Sequence, residues 1–88
     1  MQNIQRGNKA YAIECPKYFP GMVVHYSAKS EYFAKAEALI SIRKIGQHVM
    51  MDELTCQPAP EHDDVAISSI YQGCIDSDIR AKHAVVNV

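Results

Sequence analysis

The strongest constraint on the fold is one helical segment whose two ends are both marked in the sequence. Ser30 belongs to the residue types that cap helix N-termini, and Glu31 follows it at the positive end of the helix dipole. Two basic residues suit the negative end, and Gly46 is a typical helix stop. These signals predict a helix over about residues 31–45.

The apolar residues of this helix recur at helical spacing. At 100° per residue, one face collects a largely apolar group: Tyr32, Phe33, Ala36, Leu39 and Ile40. Polar residues lie away from it: Glu37, Ser41 and Lys44. We expect the apolar face to pack on a sheet.

Short β-favouring segments lie on both sides of the helix. Residues 10–15 read as a strand that Pro16 stops, and Pro20-Gly21 predicts a turn before a second strand over residues 22–26. Residues 47–56 are long enough for a third strand. The two early segments predict a pair of strands joined by a turn.

The chain after the proline loop at residues 57–60 is ambiguous. Residues 63–71 fit a strand, which their Val, Ile and Tyr content favours, and they also fit a helix beginning near Pro60. We prefer the strand. Residues 84–88 read as a further short strand that is able to pair between chains.

These elements predict an α+β domain in which a small antiparallel sheet packs against one principal helix. Residues 1–88 form a single domain, since no linker or internal repeat divides them. The 48% hydrophobic and 22% charged content is ordinary for a globular chain. A chain of 88 residues has a modest core, so the sequence is also compatible with a homodimer.

Nothing in the sequence predicts secretion or a membrane span. The N-terminus lacks a basic and apolar leader, and no stretch approaches the roughly 20 apolar residues that cross a bilayer. Three widely spaced cysteines make a poor disulfide framework: Cys15, Cys56 and Cys74. We therefore expect free thiols and a cytoplasmic location.

Charge is divided along the chain although the net charge is −1. Through Lys44, basic residues outnumber acidic ones, whereas no lysine or arginine occurs from Ile45 to Ile79. Seven carboxylates fall in that second stretch: Asp52, Glu53, Glu61, Asp63, Asp64, Asp76 and Asp78. If the fold keeps the halves apart, the protein has one acidic face that attracts a basic partner.

Recognisable catalytic and cofactor motifs are absent from the sequence. The candidate zinc ligands match no zinc-module spacing: Cys56, His62, Cys74 and His83. Two conceivable thiol–imidazole pairs, Cys15 with His25 and Cys74 with His83, lie in no nucleophile signature, and the isolated glycines build no phosphate loop. We expect neither a catalytic site nor a bound cofactor or metal.

The remaining function is binding through a surface. The leading hypothesis is a small non-enzymatic inhibitor or accessory protein of phage or mobile-element type, such as an anti-CRISPR. Its seven carboxylates would mimic nucleic acid and block a nucleic-acid-binding protein complex. The alternatives are a nucleic-acid-binding regulatory domain that uses Lys35, Arg43 and Lys44 of the basic helix, and a metal-dependent enzyme.

Overall fold

The protein is described from a computed structural model, which covers residues 7–69 and 71–84. That part of the chain contains four strands, three α-helices and two single 3-10 turns, the latter at Met51–Glu53 and Pro60–His62. The elements are β1 (Lys9–Cys15), β2 (Phe19–Ala28), α1 (Glu31–Lys44), β3 (Thr55–Pro58), α2 (Asp63–Ser68), β4 (Gly73–Cys74) and α3 (Asp76–Ala84). The predicted α+β class is confirmed.

The strands form one antiparallel sheet in the order β3-β1-β2-β4. Successive residues of a strand point to opposite faces, so each strand supplies side chains to two layers. On one face, Ile13 and Tyr26 belong to a core cluster that includes α1 residues. On the other face, Ala10 packs in a second cluster with residues of α2 and α3. We call these faces the α1 side and the α2–α3 side.

The predicted principal helix is present and ends one residue earlier than expected. The Phe33 N–H donates to the Ser30 hydroxyl at the N-terminus, and Gly46 follows the C-terminus with a φ of +95°. At such a positive φ a residue with a Cβ is disfavoured, so glycine suits the helix stop. The capping and stop signals in the sequence were therefore interpreted correctly.

The predicted buried face of α1 is wrong for three of its five residues. Ala34 and Ala38 contact the sheet and are almost completely buried. Tyr32, Phe33 and Ile40 remain 63%, 44% and 53% exposed. The small alanines let the helix backbone approach the sheet closely, and the tyrosines of β1 and β2 fill the remaining volume. Leu39 and Ile42 pack against the same cluster, whereas Tyr32, Phe33 and Ile40 lie toward solvent.

The first two strands differ from expectation in their turn. The chain reverses between β1 and β2 at residues 16–18, and Pro20-Gly21 lies inside the longer β2. The strand register shifts there, and Gly21 has a φ of +81° while its N–H donates to the Glu14 carboxylate at 3.0 Å. The Pro-Gly pair thus builds a bulge in place of a turn.

Two later strand predictions need correction. Only the last two residues of the predicted strand over 47–56 lie in β3, because a 3-10 turn occupies Met51–Glu53. The strand predicted over residues 63–71 is wrong, since α2 forms there after the 3-10 turn that Pro60 begins. Proline suits the first turn of a helix, and the acidic residues that follow favour its positive end.

Helix α3 was not predicted; it ends at Ala84, the first residue of the predicted tail strand. The rest of that predicted strand, residues 85–88, lies outside the described residues. Ile75 and Ile79 anchor the start of α3 in the second cluster. The complete arrangement is therefore a sheet between two helical layers, with the predicted principal helix on one side only.

Candidate functional site

Most of the acidic part of the sequence lies on the face of the sheet opposite helix α1. Helix α1 with the preceding Lys29 carries four cations and two carboxylates: Lys29, Lys35, Arg43 and Lys44 with Glu31 and Glu37. The α2–α3 side holds five of the seven predicted carboxylates, Glu61, Asp63, Asp64, Asp76 and Asp78, together with the cations Arg80 and Lys82. The fold therefore places these five carboxylates away from the cations of α1.

Two of these five carboxylates hold the fold together. The Asp63 carboxylate accepts the backbone N–H of Ala10 at 2.9 Å and so ties α2 to the start of β1. Asp76, at the start of α3, lies 2.8 Å from the His25 imidazole and also accepts the His25 backbone N–H at 3.2 Å. Both carboxylates are occupied by contacts within the chain.

The other three carboxylates on this side are exposed. Asp64 and Asp78 line a shallow groove of about 450 Å³ between α2 and α3, and Lys82 forms an ion pair with Asp64 across it. Glu61 precedes α2, with its carboxylate 3.9 Å from the imidazole of His62. We call Glu61, Asp64 and Asp78 the acidic patch.

The remaining two predicted residues, Asp52 and Glu53, lie in the 3-10 turn before β3. Glu53 accepts the backbone N–H of Met50 at 2.8 Å and pairs with Lys17 at 2.7 Å. The hydrogen bond from Lys17, followed by that from Met50, lowers the pKa of the Glu53 carboxyl. This turn contacts α1, so the structure does not bring it together with the acidic patch.

Three histidines lie in a row on the α2–α3 side, a grouping that the sequence analysis did not find. The rings of His25 and His62 are 4.9 Å apart between centroids, and those of His62 and His83 are 6.2 Å apart, both edge to face. The three come from β2, the turn before α2, and α3. Only the packing of α3 on the sheet brings them together, so no spacing in the sequence reveals them.

The candidate metal and thiol sites have no supporting geometry. Among residues 7–69 and 71–84, no three His, Cys, Asp or Glu side chains are placed to hold a metal ion. The imagined pair of Cys15 and His25 is divided by the sheet, since Cys15 packs on the α1 side. Cys74 lies instead 4.0 Å from Asp76.

All three cysteines are free, in unequal environments. Cys15 is buried, Cys56 is half-buried and Cys74 is exposed. Burial, with a smaller effect of the nearby Glu31 carboxylate, raises the pKa of the Cys56 thiol to about 11. A nucleophilic cysteine needs a lowered pKa, so Cys56 is suited to packing and not to catalysis.

An apolar groove opens on the α1 side between the bulge of β2 and the C-terminal half of α1. Its volume is about 310 Å³, and Phe19, Met22, Ile42 and Ile45 are among its lining residues. Tyr26 lies at its base, where burial raises the pKa of the phenol. The groove is thus a hydrophobic depression beside the exposed surface of α1.

Comparison with known proteins assigns no family: no family model, curated protein or solved structure matches the chain. In the described part of the chain, no helix has both the length and the apolar character needed to cross a membrane.

Proposed function

We propose that this chain is a small non-enzymatic protein-binding inhibitor or accessory protein, and that its acidic patch contacts a basic surface of a nucleic-acid-binding partner. Glu61, Asp64 and Asp78 are the contact residues. The proposed mechanism is exclusion: the patch occupies a groove that otherwise holds phosphates. An anti-CRISPR-like counter-defence protein is the specific role that we propose.

The observation that carries this proposal is the charge separation across the sheet. Opposite charges that are kept on different faces give a potential that orients an approaching partner, whereas interleaved charges cancel. The α2–α3 side has five carboxylates against two cations. We therefore expect a basic surface to be drawn to this side.

The geometry narrows the contact set that the sequence suggested. Asp63 and Asp76 are engaged within the fold, and Glu53 is paired with Lys17. Asp64 forms an ion pair with Lys82, but the Asp64 side chain remains more than half exposed. Glu61 and Asp78 carry the greatest weight in the proposal, because neither is engaged by a lysine or arginine among the described residues.

The experiment is affinity capture of the tagged protein from a bacterial lysate, with and without nuclease, followed by mass spectrometry. The test variant is E61Q/D78N, and the matched control D52N/E31Q removes the same charge elsewhere. We expect one nucleic-acid-binding complex to be captured after nuclease treatment by the wild type and the control and lost with the test variant. Equal capture by both variants would overturn the proposal.

A second candidate function rests on the exposed surface of α1. Tyr32 and Phe33 form an exposed edge-to-face pair with centroids 5.5 Å apart, close in sequence to Lys29 and Lys35. Exposed aromatic rings beside cations are able to stack on nucleic-acid bases. A salt-sensitive gel shift that is lost in K35A/K44A, and a captured partner that disappears with nuclease, would favour this candidate.

A further inference from the structure

Helix α1 carries a stripe of four residues, of which three are exposed and one, Glu37, is half-buried. Positions 33, 37, 40 and 44 recur at the spacing of one helix face, which lies away from the sheet-facing Ala34 and Ala38. The stripe consists of Phe33, Glu37, Ile40 and Lys44. Phe33 and Ile40 are large exposed hydrophobic residues.

The two charged members of the stripe form no ion pair within the described residues. Glu37 and Lys44 are seven residues apart, which is about 10 Å along a helix. This distance is too long for a direct contact between them in one copy. They are instead placed to pair with a second helix that has a basic residue opposite Glu37 and an acidic residue opposite Lys44.

An antiparallel copy of α1 has its charges in these positions. A twofold axis midway between Ile40 and Ser41 exchanges positions 37 and 44, because both lie three and a half residues from it. Each Glu37 then faces Lys44 of the second copy, and this happens twice by symmetry. The surface is self-complementary, as an isologous dimer interface requires.

The apolar residues fit the same axis. The two Ile40 side chains meet at the centre, because each lies half a residue from the axis. Phe33 lies on the same face, toward the N-terminal end of the helix. The charged pair and Ile40 therefore agree on one register.

We propose that the protein forms a symmetric homodimer through antiparallel packing of α1, with paired Glu37 and Lys44 of opposite copies and Ile40 at the axis. One helix of 14 residues covers less than the roughly 800 Å² per partner of a standard stable interface. We expect a concentration-dependent dimer in the micromolar range. The acidic patches lie on the far faces, so dimerisation leaves both accessible.

This proposal does not depend on the proposed function. It is tested by sedimentation equilibrium of the purified chain over concentrations up to about 0.5 mM. We expect the single reversals E37K and K44E each to weaken the dimer about tenfold, because each places like charges opposite one another at two sites. The double reversal E37K/K44E restores opposite charges and should return the dissociation constant to within about threefold of the wild type.

Two further variants separate dimerisation from folding. I40D should abolish the dimer while circular dichroism and the unfolding midpoint show an intact fold, since the residue is exposed. I67D, at an exposed apolar residue of α2, is the matched control and should leave the dimer unchanged. A monomeric wild type throughout the concentration range, or a double reversal as weak as the single ones, would overturn the proposal.

Discussion

Asp76 holds His25 at two points: one carboxylate oxygen lies 2.8 Å from the imidazole Nδ1, and the other accepts the His25 backbone N–H at 3.2 Å. Both side chains are about one-fifth exposed. Since β4 has two residues and pairs with only Tyr26 and Ser27 of β2, this contact is a principal link between α3 and the sheet. The placement of Asp78 beside the other residues of the acidic patch depends on that link.

Replacing Asp76 with alanine should lower the free energy of unfolding by about 1–3 kcal/mol, because both hydrogen bonds to His25 are lost in a half-buried site. Urea denaturation measures the change. D78A is the control, since Asp78 is in the same first turn but exposed, and its effect should stay within about 0.5 kcal/mol. Equal losses would mean that the helix dipole, and not the contact with His25, supplies the stability.

Asp63 and Asp64 are neighbours with different expected roles. D63A should lower the free energy of unfolding by about 1–2 kcal/mol because it leaves the Ala10 N–H without its acceptor. D64A loses an exposed ion pair with Lys82 and a local hydrogen bond from the Val65 N–H, and should cost at most about 1 kcal/mol. The difference between the two variants in urea denaturation tests this, and the reverse order would contradict it.

The close packing of α1 on the sheet predicts sensitivity to larger side chains. Ala38 is almost completely buried, so A38L should lower the free energy of unfolding by about 1–3 kcal/mol through overpacking. A36L is the control, since Ala36 is less buried and lies away from the sheet-facing residues. If A38L left the unfolding midpoint unchanged, the contact between α1 and the sheet would be looser than described.

The raised pKa of Cys56 predicts slow alkylation. With a pKa of about 11, only about one thiol in a thousand is ionised at pH 8, and the alkylation rate should rise about tenfold per pH unit up to pH 11. Mass spectrometry of the iodoacetamide-treated native protein measures this, with the exposed Cys74 as internal reference. E31Q should speed the reaction, because Glu31 contributes to the raised pKa. A Cys56 rate that levels off near pH 9 would contradict the account.

Local signals in the sequence were enough to predict the α+β class and the position of α1. The Ser30 cap and the Gly46 stop depend on neighbouring backbone groups alone, so they are readable without tertiary structure. Local signals also mark the helix where residues 63–71 were predicted as a strand. Pro60 and the acidic residues after it are helix-start signals, but the prediction gave more weight to the β-favouring composition.

Tertiary contacts explain what the sequence could not predict. The buried face of α1 was misassigned because its fully buried residues are Ala34 and Ala38, and small residues contribute little to a hydrophobic pattern. The row of histidines arises from three elements distant in the chain. The position of the α2 and α3 carboxylates on the face opposite α1 likewise follows from where α2 and α3 pack. The uneven charge along the chain only indicated that such a face was possible.

The central claim is that the acidic patch competes with nucleic acid for a basic surface of the partner. The most direct test is a competition titration in which the purified partner, bound to a fluorescent oligonucleotide, receives increasing amounts of the wild type, of E61Q/D78N or of the control D52N/E31Q. The account predicts displacement by the wild type and the control, with at least about tenfold more E61Q/D78N required, and weaker displacement at high salt. Equal displacement by all three proteins, or binding of the wild type that leaves the oligonucleotide in place, would contradict it.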